Sequence, residues 1–155
     1  MEQLSPNNEL AKLESDIKLK NAEFLNMLES TSLITMNRHI ERAIVIYNFC
    51  IRTYENGGEV YGVNESGDET MVPLFDTSNE ERDGLVKAHL SLDIGLDIAM
   101  TLARLGVDER TSETAILDNI INTFAHMIEL SYDGYRIVGR QVDGTKILLN
   151  SSDFS

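Results

Sequence analysis

Ala43-Ile44-Val45-Ile46-Tyr47-Asn48-Phe49-Cys50-Ile51 is the stretch on which the reading of the fold turns. Asn48 is its only strongly polar side chain, and a run that is apolar on every side is expected to be buried on every side. The β-branched cluster at 44–46 would also suit a strand. Helix is favoured because the apolar stripe continues through Met36, Ile40, Ala43, Ile44, Tyr47, Ile51 and Tyr54 at helical intervals. The segment reads as an inner helix over about Leu33 to Glu55, capped from Ser30-Thr31-Ser32 and ended by Asn56-Gly57-Gly58. Function is then to be sought on the surfaces furthest from it.

Working outward, Leu10, Leu13, Ile17, Phe24, Leu25 and Leu28 predict an amphipathic helix over 10–29, after a frayed lead-in at 1–8. On the other side, Glu59-Val60-Tyr61-Gly62-Val63 and Thr70-Met71-Val72-Pro73-Leu74-Phe75 flank a polar, glycine-containing connector and predict a hairpin over about 59–75. Pro73 cannot donate to a ladder, which puts its strand at a sheet edge. Thr77 with Glu80, and Ser78 with Glu81, have capping-box spacing, so a third helix is expected to run from there to Leu105. Its stripe contains Leu85, Ala88, Leu92, Ile94, Leu96, Ala99, Leu102 and Ala103. A fourth helix follows Ser112, with Ile116, Leu117, Ile120, Ile121, Phe124, Met127 and Ile128 inward, to about Tyr132. The Asp143-Gly144 turn predicts a second hairpin over about 135–149.

The expected fold class is α+β and predominantly helical, with about four helices forming a bundle-like core and two short antiparallel hairpins. One globular domain is expected over 9–150, with a loose tail at 151–155. The order of two helices then a hairpin occurs twice, a faint echo of duplication, but the halves share few residues. Met71-Val-Pro-Leu-Phe-Asp-Thr-Ser-Asn-Glu-Glu81 resembles the strand-and-turn signature of SseB-type secretion-enhancer domains. Nothing about function is carried over from those eleven residues.

Length and composition agree with one core. A chain of 155 residues buries roughly two-thirds of its unfolded surface without needing a staple. The start, Met-Glu-Gln-Leu-Ser-Pro, lacks the basic and apolar segments of a secretory signal, so a cytoplasmic location is expected. The longest apolar run is far short of the roughly 18 residues that read as a membrane span. The single cysteine, Cys50, has no partner for an internal disulfide and reads as a small buried hydrophobe.

Charge is the strongest compositional signal. Net −13 at pH 7 repels nucleic-acid phosphates and anionic lipid, disfavouring direct nucleic-acid or membrane binding and favouring a basic protein partner. The excess concentrates in 57–86, where Glu59, Glu65, Asp68, Glu69, Asp76, Glu80, Glu81 and Asp83 face the single Arg82. The leading expectation is therefore a non-enzymatic interaction module, an inhibitor, adaptor or immunity-type protein, presenting this acidic face. Mimicry of DNA against a DNA-binding protein is a variant of the same idea.

Three other constellations carry expectations. His89, Asp93 and Asp97 are four apart and would stack on the third helix, facing Asp118, Asn122 and His126 on the fourth; His89, Asp93, Asp97 and His126 could then hold a divalent metal. They match no established metal motif, and no cofactor is implied. Arg38, His39, Glu41 and Arg42 form the only locally basic spot in the first half, able to receive a phosphate or to make surface salt bridges. Tyr135, Arg136, Arg140 and Lys146 form a basic-aromatic cluster suited to a protein interface or a small anion. The small residues Ala88, Gly95, Ala99 and Ala103 would let a second copy approach as a homodimer. No phosphate loop and no Gly-x-Ser-x-Gly elbow is present.

Overall fold

The computed structural model describes residues 9–72, 74 and 87–149. The expected lead-in, the capping boxes at 77–81 and the tail lie outside the described residues. The elements run β1 (Leu10–Lys18), α1 (Leu19–Thr31), α2 (Met36–Glu55), β2 (Glu59–Val63), β3 (Glu69–Met71), β4 (Lys87–Gly95), α3 (Leu96–Asp108), α4 (Glu113–Tyr132), β5 (Arg136–Arg140) and β6 (Lys146–Leu148). The class is α+β, with four helices and two antiparallel sheets.

Two expectations are corrected. Residues 10–18 and 87–95 are strands, paired antiparallel from Leu10↔Gly95 to Lys18↔Lys87. Both segments alternate: Ala11, Leu13, Ser15 and Ile17 on one face of the first, Ala88, Leu90, Leu92 and Ile94 on one face of the second. That period of two belongs to a strand with one buried face, and it competes in these short stretches with helical spacings such as Leu13 to Ile17. Nor do the helices alone make the core. The hub helix α2 contacts α1, α3 and α4 and also β2, β4 and β5.

The order β-α-α-β-β occurs twice at a constant offset of 77 residues, from Leu10 to Lys87 through Met71 to Leu148. The backbone repeats bond for bond. Helix α2 ends with Gly57 N–H on the Tyr54 carbonyl and Gly58 N–H on that of Thr53; α4 ends with Gly134 N–H on Ser131 and Tyr135 N–H on Leu130. Both endings put a glycine at positive φ just past the cap, Gly57 at 88° and Gly134 at 91°, where a Cβ is disfavoured. The hairpin bonds repeat too: Asn64 N–H to Asp68 and Gln141 N–H to Thr145, then Val72 N–H to Val60 and Leu149 N–H to Ile137. Many identities between the halves fall on core and turn positions, among them Leu13/Leu90, Ile17/Ile94, Leu25/Leu102, Leu28/Leu105 and Gly57/Gly134. The chain is an internal duplication.

The halves are joined about a pseudo-two-fold axis. In the β1–β4 ribbon the central pair is Glu14↔Ser91, and in the sheet ordered β3-β2-β5-β6 the pair Tyr61↔Val138 joins the halves. Both pairs link residues 77 apart, so each lies on the axis, as in an isologous dimer. Helices α2 and α4 pack together, burying Ile40, Ala43, Ile44 and Tyr47 from one and their equivalents Leu117, Ile120, Ile121 and Phe124 from the other. Phe24 meets Phe124 edge-on, 6.4 Å between centroids.

One core position breaks the pattern. His39 is fully buried where α4 has the fully buried Ile116. Its Nε2 lies 3.0 Å from the Ser32 hydroxyl, while Nδ1 makes no hydrogen bond among the described residues. Burial, and then Arg42, lower its pKa, opposed by the Leu28 carbonyl and Glu29. The folded state therefore resists a proton that the unfolded chain takes up near pH 6.5, and stability contributed by neutral His39 is lost as pH falls below that value. His39→Leu is expected to stay within about 1 kcal/mol of wild type at pH 7.5. It should also lose less stability than wild type between pH 7.5 and 5 in urea titrations. Parallel pH dependences in the two proteins would refute this.

Candidate functional site

The hub helix is not buried on every side. Val45 is 50% exposed, and Phe49 is only partly covered. Arg38, Arg42, Val45 and Phe49 follow one another at intervals of three or four along α2 and so share a face. That face lines a cleft of about 550 Å³, together with Gly95, Asp97 and Ile98 at the β4–α3 junction and Ile147 and Leu149 of the last strand and its extension. Small-molecule sites commonly occupy roughly 300–1,000 Å³.

The charged groups are ordered by backbone contacts. Strand β4 passes into α3 with no intervening loop, and the junction amide of Gly95 donates to Glu41 Oε2 at 2.7 Å. Glu41 also faces Arg38, 3.7 Å away. Asp97 Oδ1 accepts from Ile98 N–H at 3.0 Å in the first turn of α3, where a helix end favours negative charge. Both carboxylates are thus committed to amides. The lining otherwise consists of two guanidinium groups and a hydrocarbon surface.

The second half keeps the scaffold and loses the lining. The bond between Glu41 and Gly95 has an equivalent in Asp118, which accepts from the junction amide of Lys18 at 3.1 Å and from Asn21 Nδ2 at 2.7 Å. The apolar residues Val45, Phe49, Ile98 and Ile147 have as counterparts Asn122, His126, Asn21 and Thr70, and Arg38 and Arg42 have Ala115 and Asn119. Duplication separates what the fold needs, present on both sides, from what belongs to one side only. Most of the apolar lining of the cleft belongs to the second category.

The remaining predicted residues are dispersed. His89 and Asp93 lie on the outer face of β4, where His89 Nδ1 is 2.9 Å from Asp16 and Asp93 is 4.0 Å from Lys12, a symmetric pair of cross-strand contacts. Asp97 is in the cleft, and His126 is on α4. Among the described residues no group of three or more His, Cys, Asp or Glu side chains is arranged to hold a metal. Of the acidic set, Glu59 and Glu69 flank Arg140, at 2.6 and 3.8 Å, and the same guanidinium lies 4.6 Å over the Tyr61 ring. The hydrogen bond that Arg140 donates to Glu59 leads the effects that raise the pKa of Arg140. Glu65 and Asp68 are exposed at the β2–β3 turn, whereas Asp76, Glu80, Glu81 and Asp83 lie outside the described residues. Arg136 starts β5 and Lys146 starts β6, both exposed, and Tyr135 precedes Arg136 and is partly covered.

Cys50 is buried, and burial pushes its thiol up to about 12, which keeps it protonated at neutral pH. No described helix is long and apolar enough to cross a membrane. Of the cleft residues, sequence reasoning had singled out Arg38, Glu41, Arg42 and Asp97 but not their apolar neighbours. The available signal was Val45 and Phe49, which lie off the stripe that contains Ile40, Ala43, Ile44 and Tyr47. Comparison of the chain with protein-family models, curated proteins and solved structures finds no match.

Proposed function

We propose that the protein is a non-enzymatic binding module whose recognition surface is the cleft between α2, the start of α3 and β6. The observation that carries this reading is the one-sided divergence of a duplicated scaffold. Four apolar cleft residues have polar counterparts in the other half, while the carboxylate-to-amide bond that holds the junction is kept in both. Exposed hydrocarbon at Val45 and Ile147 lowers solubility without adding to the core, so its placement in a concave site favours recognition over packing. Amide chemical-shift mapping with a mixed library of small metabolites tests this. Binders are expected to move Val45, Phe49, Ile98 and Ile147 and to leave Asn122, His126, Asn21 and Thr70 in place. Shifts spread equally over both halves, or binding unaffected by Val45→Asp, would sink the reading.

A second reading follows from charge: an acidic face for a basic partner. The net charge of −13 and the exposed Glu65 and Asp68 favour it, although Glu59 and Glu69 are partly neutralised by Arg140. Binding of a short oligolysine at low salt should weaken in the Glu65→Gln, Asp68→Asn double variant and fall steeply with ionic strength. Equal binding by both proteins would count against this face.

A further inference from the structure

We infer that the open edge of β6, with the cleft beside it, takes an extended peptide segment as an added strand, its inward side chains apolar and a carboxylate opposite Lys146. The inference rests on the binding-module reading and adds the ligand class. Backbone bonding at the sheet edge carries it. Gln141 N–H donates to the Thr145 carbonyl and Leu149 N–H to the Ile137 carbonyl, with Ile147 opposite Gly139 between them. Alternate residues of an antiparallel strand turn their backbone groups to opposite sides, so Lys146 and Leu148 point theirs away from β5. Among the described residues neither amide and neither carbonyl of this pair has a partner. Strand β6 is last in the order β3-β2-β5-β6, and such an edge is a template for one more strand.

Side chains at the edge set the sequence of that strand. Ile147 and Leu149 line the cleft, so residues paired with them turn into it, toward Val45 and Phe49. Arg38 and Arg42 are matched in the lining by Glu41 and Asp97, so the cleft favours uncharged side chains. On the opposite face, the row across the sheet reads Glu59, Arg140 and Lys146. Arg140 is held by Glu59 and Glu69, whereas Lys146 is exposed and has no carboxylate partner among the described residues. A carboxylate on the added strand closes this row as a cross-strand pair of opposite charge. At about 0.15 M salt, charges more than roughly 8 Å apart are largely screened, so the row outweighs the net −13 of the whole chain. The equivalent edge at β3 has Glu69 and Thr70 in place of Lys146 and Ile147. The sequence after it reaches Pro73, which has no N–H to donate, where the other half has Asn150. The apolar edge is therefore one-sided, as most of the apolar cleft lining is.

Chemical-shift titration of the full chain with the peptide acetyl-Val-Thr-Ile-Glu-Val-amide, at about 0.15 M salt, tests the inference. Paired antiparallel with its isoleucine opposite Ile147, the peptide turns that isoleucine and both valines to the cleft and sets its glutamate opposite Lys146. Saturable shifts are expected at the Lys146 and Leu148 amides and at Val45 and Phe49. Methylating the peptide nitrogens of threonine and glutamate, which face β6, should weaken binding by about tenfold; methylating that of isoleucine, which faces away, should leave it within about twofold. Changing the peptide glutamate to lysine should weaken binding by about fivefold. Leu148→Pro removes one outward amide and leaves the bonds to β5, and should weaken binding by about tenfold, whereas Leu148→Ala should stay within about threefold. If Leu148→Pro fails to fold, the two methylated peptides still decide. Equal weakening by both methylation patterns, tighter binding of the lysine peptide, or cleft shifts that leave the Lys146 and Leu148 amides in place would each overturn the inference. Light scattering checks for a second copy: a dimer that must dissociate before the peptide binds would mean that the edge belongs to that copy, and the inference falls. If the peptide fails while library compounds still shift the cleft amides, the ligand class is wrong and the binding-module reading stands. If neither binds in the cleft, both fall.

Discussion

Replacing Gly58 by alanine is expected to lower stability by about 3 kcal/mol, a drop of roughly 6–12 °C in Tm for a chain of this length. A Cβ at Gly58 would press on the backbone carbonyl of Arg140 and come within 2.9 Å of Thr53 Cγ2 and 3.2 Å of the Thr53 carbonyl. Neither carbonyl can swing aside as a flexible side chain would. Thr53 is in the last turn of α2 and its carbonyl accepts the Gly58 amide; Arg140 is opposite Glu59 in the pairing that joins the two halves. Relief of the clash must therefore come from moving β5 away from β2, weakening that pairing. The second half has Tyr135 at the equivalent position, so the constraint is local to one end of the sheet. Urea unfolding followed by circular dichroism measures the loss. A change below about 1 kcal/mol would show that the strands separate there at little cost, contrary to this account.

Asp118→Ala is expected to cost about 2–4 kcal/mol, more than Glu41→Ala at about 1–2 kcal/mol. The two carboxylates are equivalent by duplication, and each satisfies the amide at a strand-to-helix junction in the other half. They differ in burial and in what they leave behind. Asp118 and Asn21 are almost wholly buried, so truncation strands two donors, the Lys18 amide and Asn21 Nδ2, away from water. Glu41 is at the partly open cleft, where water can reach the Gly95 amide once the carboxylate is gone. Denaturant titration of both variants gives the ranking, and hydrogen exchange adds a local reading. The Lys18 amide should lose protection in Asp118→Ala and keep it in Glu41→Ala. Equal costs for the two variants would mean that burial does not govern the junction bond.

Much of the second half of each repeat was legible in the sequence. Helices α2 and α4 follow from stripes of 20 residues each, and their ends from Asn56-Gly57 and Asp133-Gly134, because the αL position past a helix end selects glycine. The paired segments at 59–63 with 69–71, and at 136–140 with 146–148, lie within the expected hairpin ranges. The first half of each repeat was not legible. Residues 10–18 and 87–95 each pass from strand to helix with no proline and no side-chain cap on the following helix. The signal that ends the strand is a carboxylate about a hundred residues away in one case and about fifty in the other. Local spacing reads both segments as helix because Leu13 and Ile17, or Ala88 and Leu92, are four apart.

The candidate site divides the same way. Arg38, Glu41 and Arg42 stood out as a basic spot because charge is visible in composition, and the same charge reading directed attention to the acidic 57–86 segment. Burial, which only the folded chain supplies, reassigned several of these groups. It placed His39 in the core, joined Glu59 and Glu69 to Arg140, and left Val45 and Phe49 of the hub in an open cleft.

By itself the sequence determined the fold class, the two long helices and their glycine stops, because these depend on periodicity and backbone conformation within a few residues. Tertiary structure decided the β1–β4 ribbon, the pseudo-two-fold assembly of a duplicated β-α-α-β-β unit, and the cleft. Each of these depends on groups from opposite halves meeting. Two halves with polar residues on one side and apolar on the other can share a backbone, and only the folded chain reveals which of those differences are buried, as at Asn21 and Asn119, and which are exposed, as at Val45.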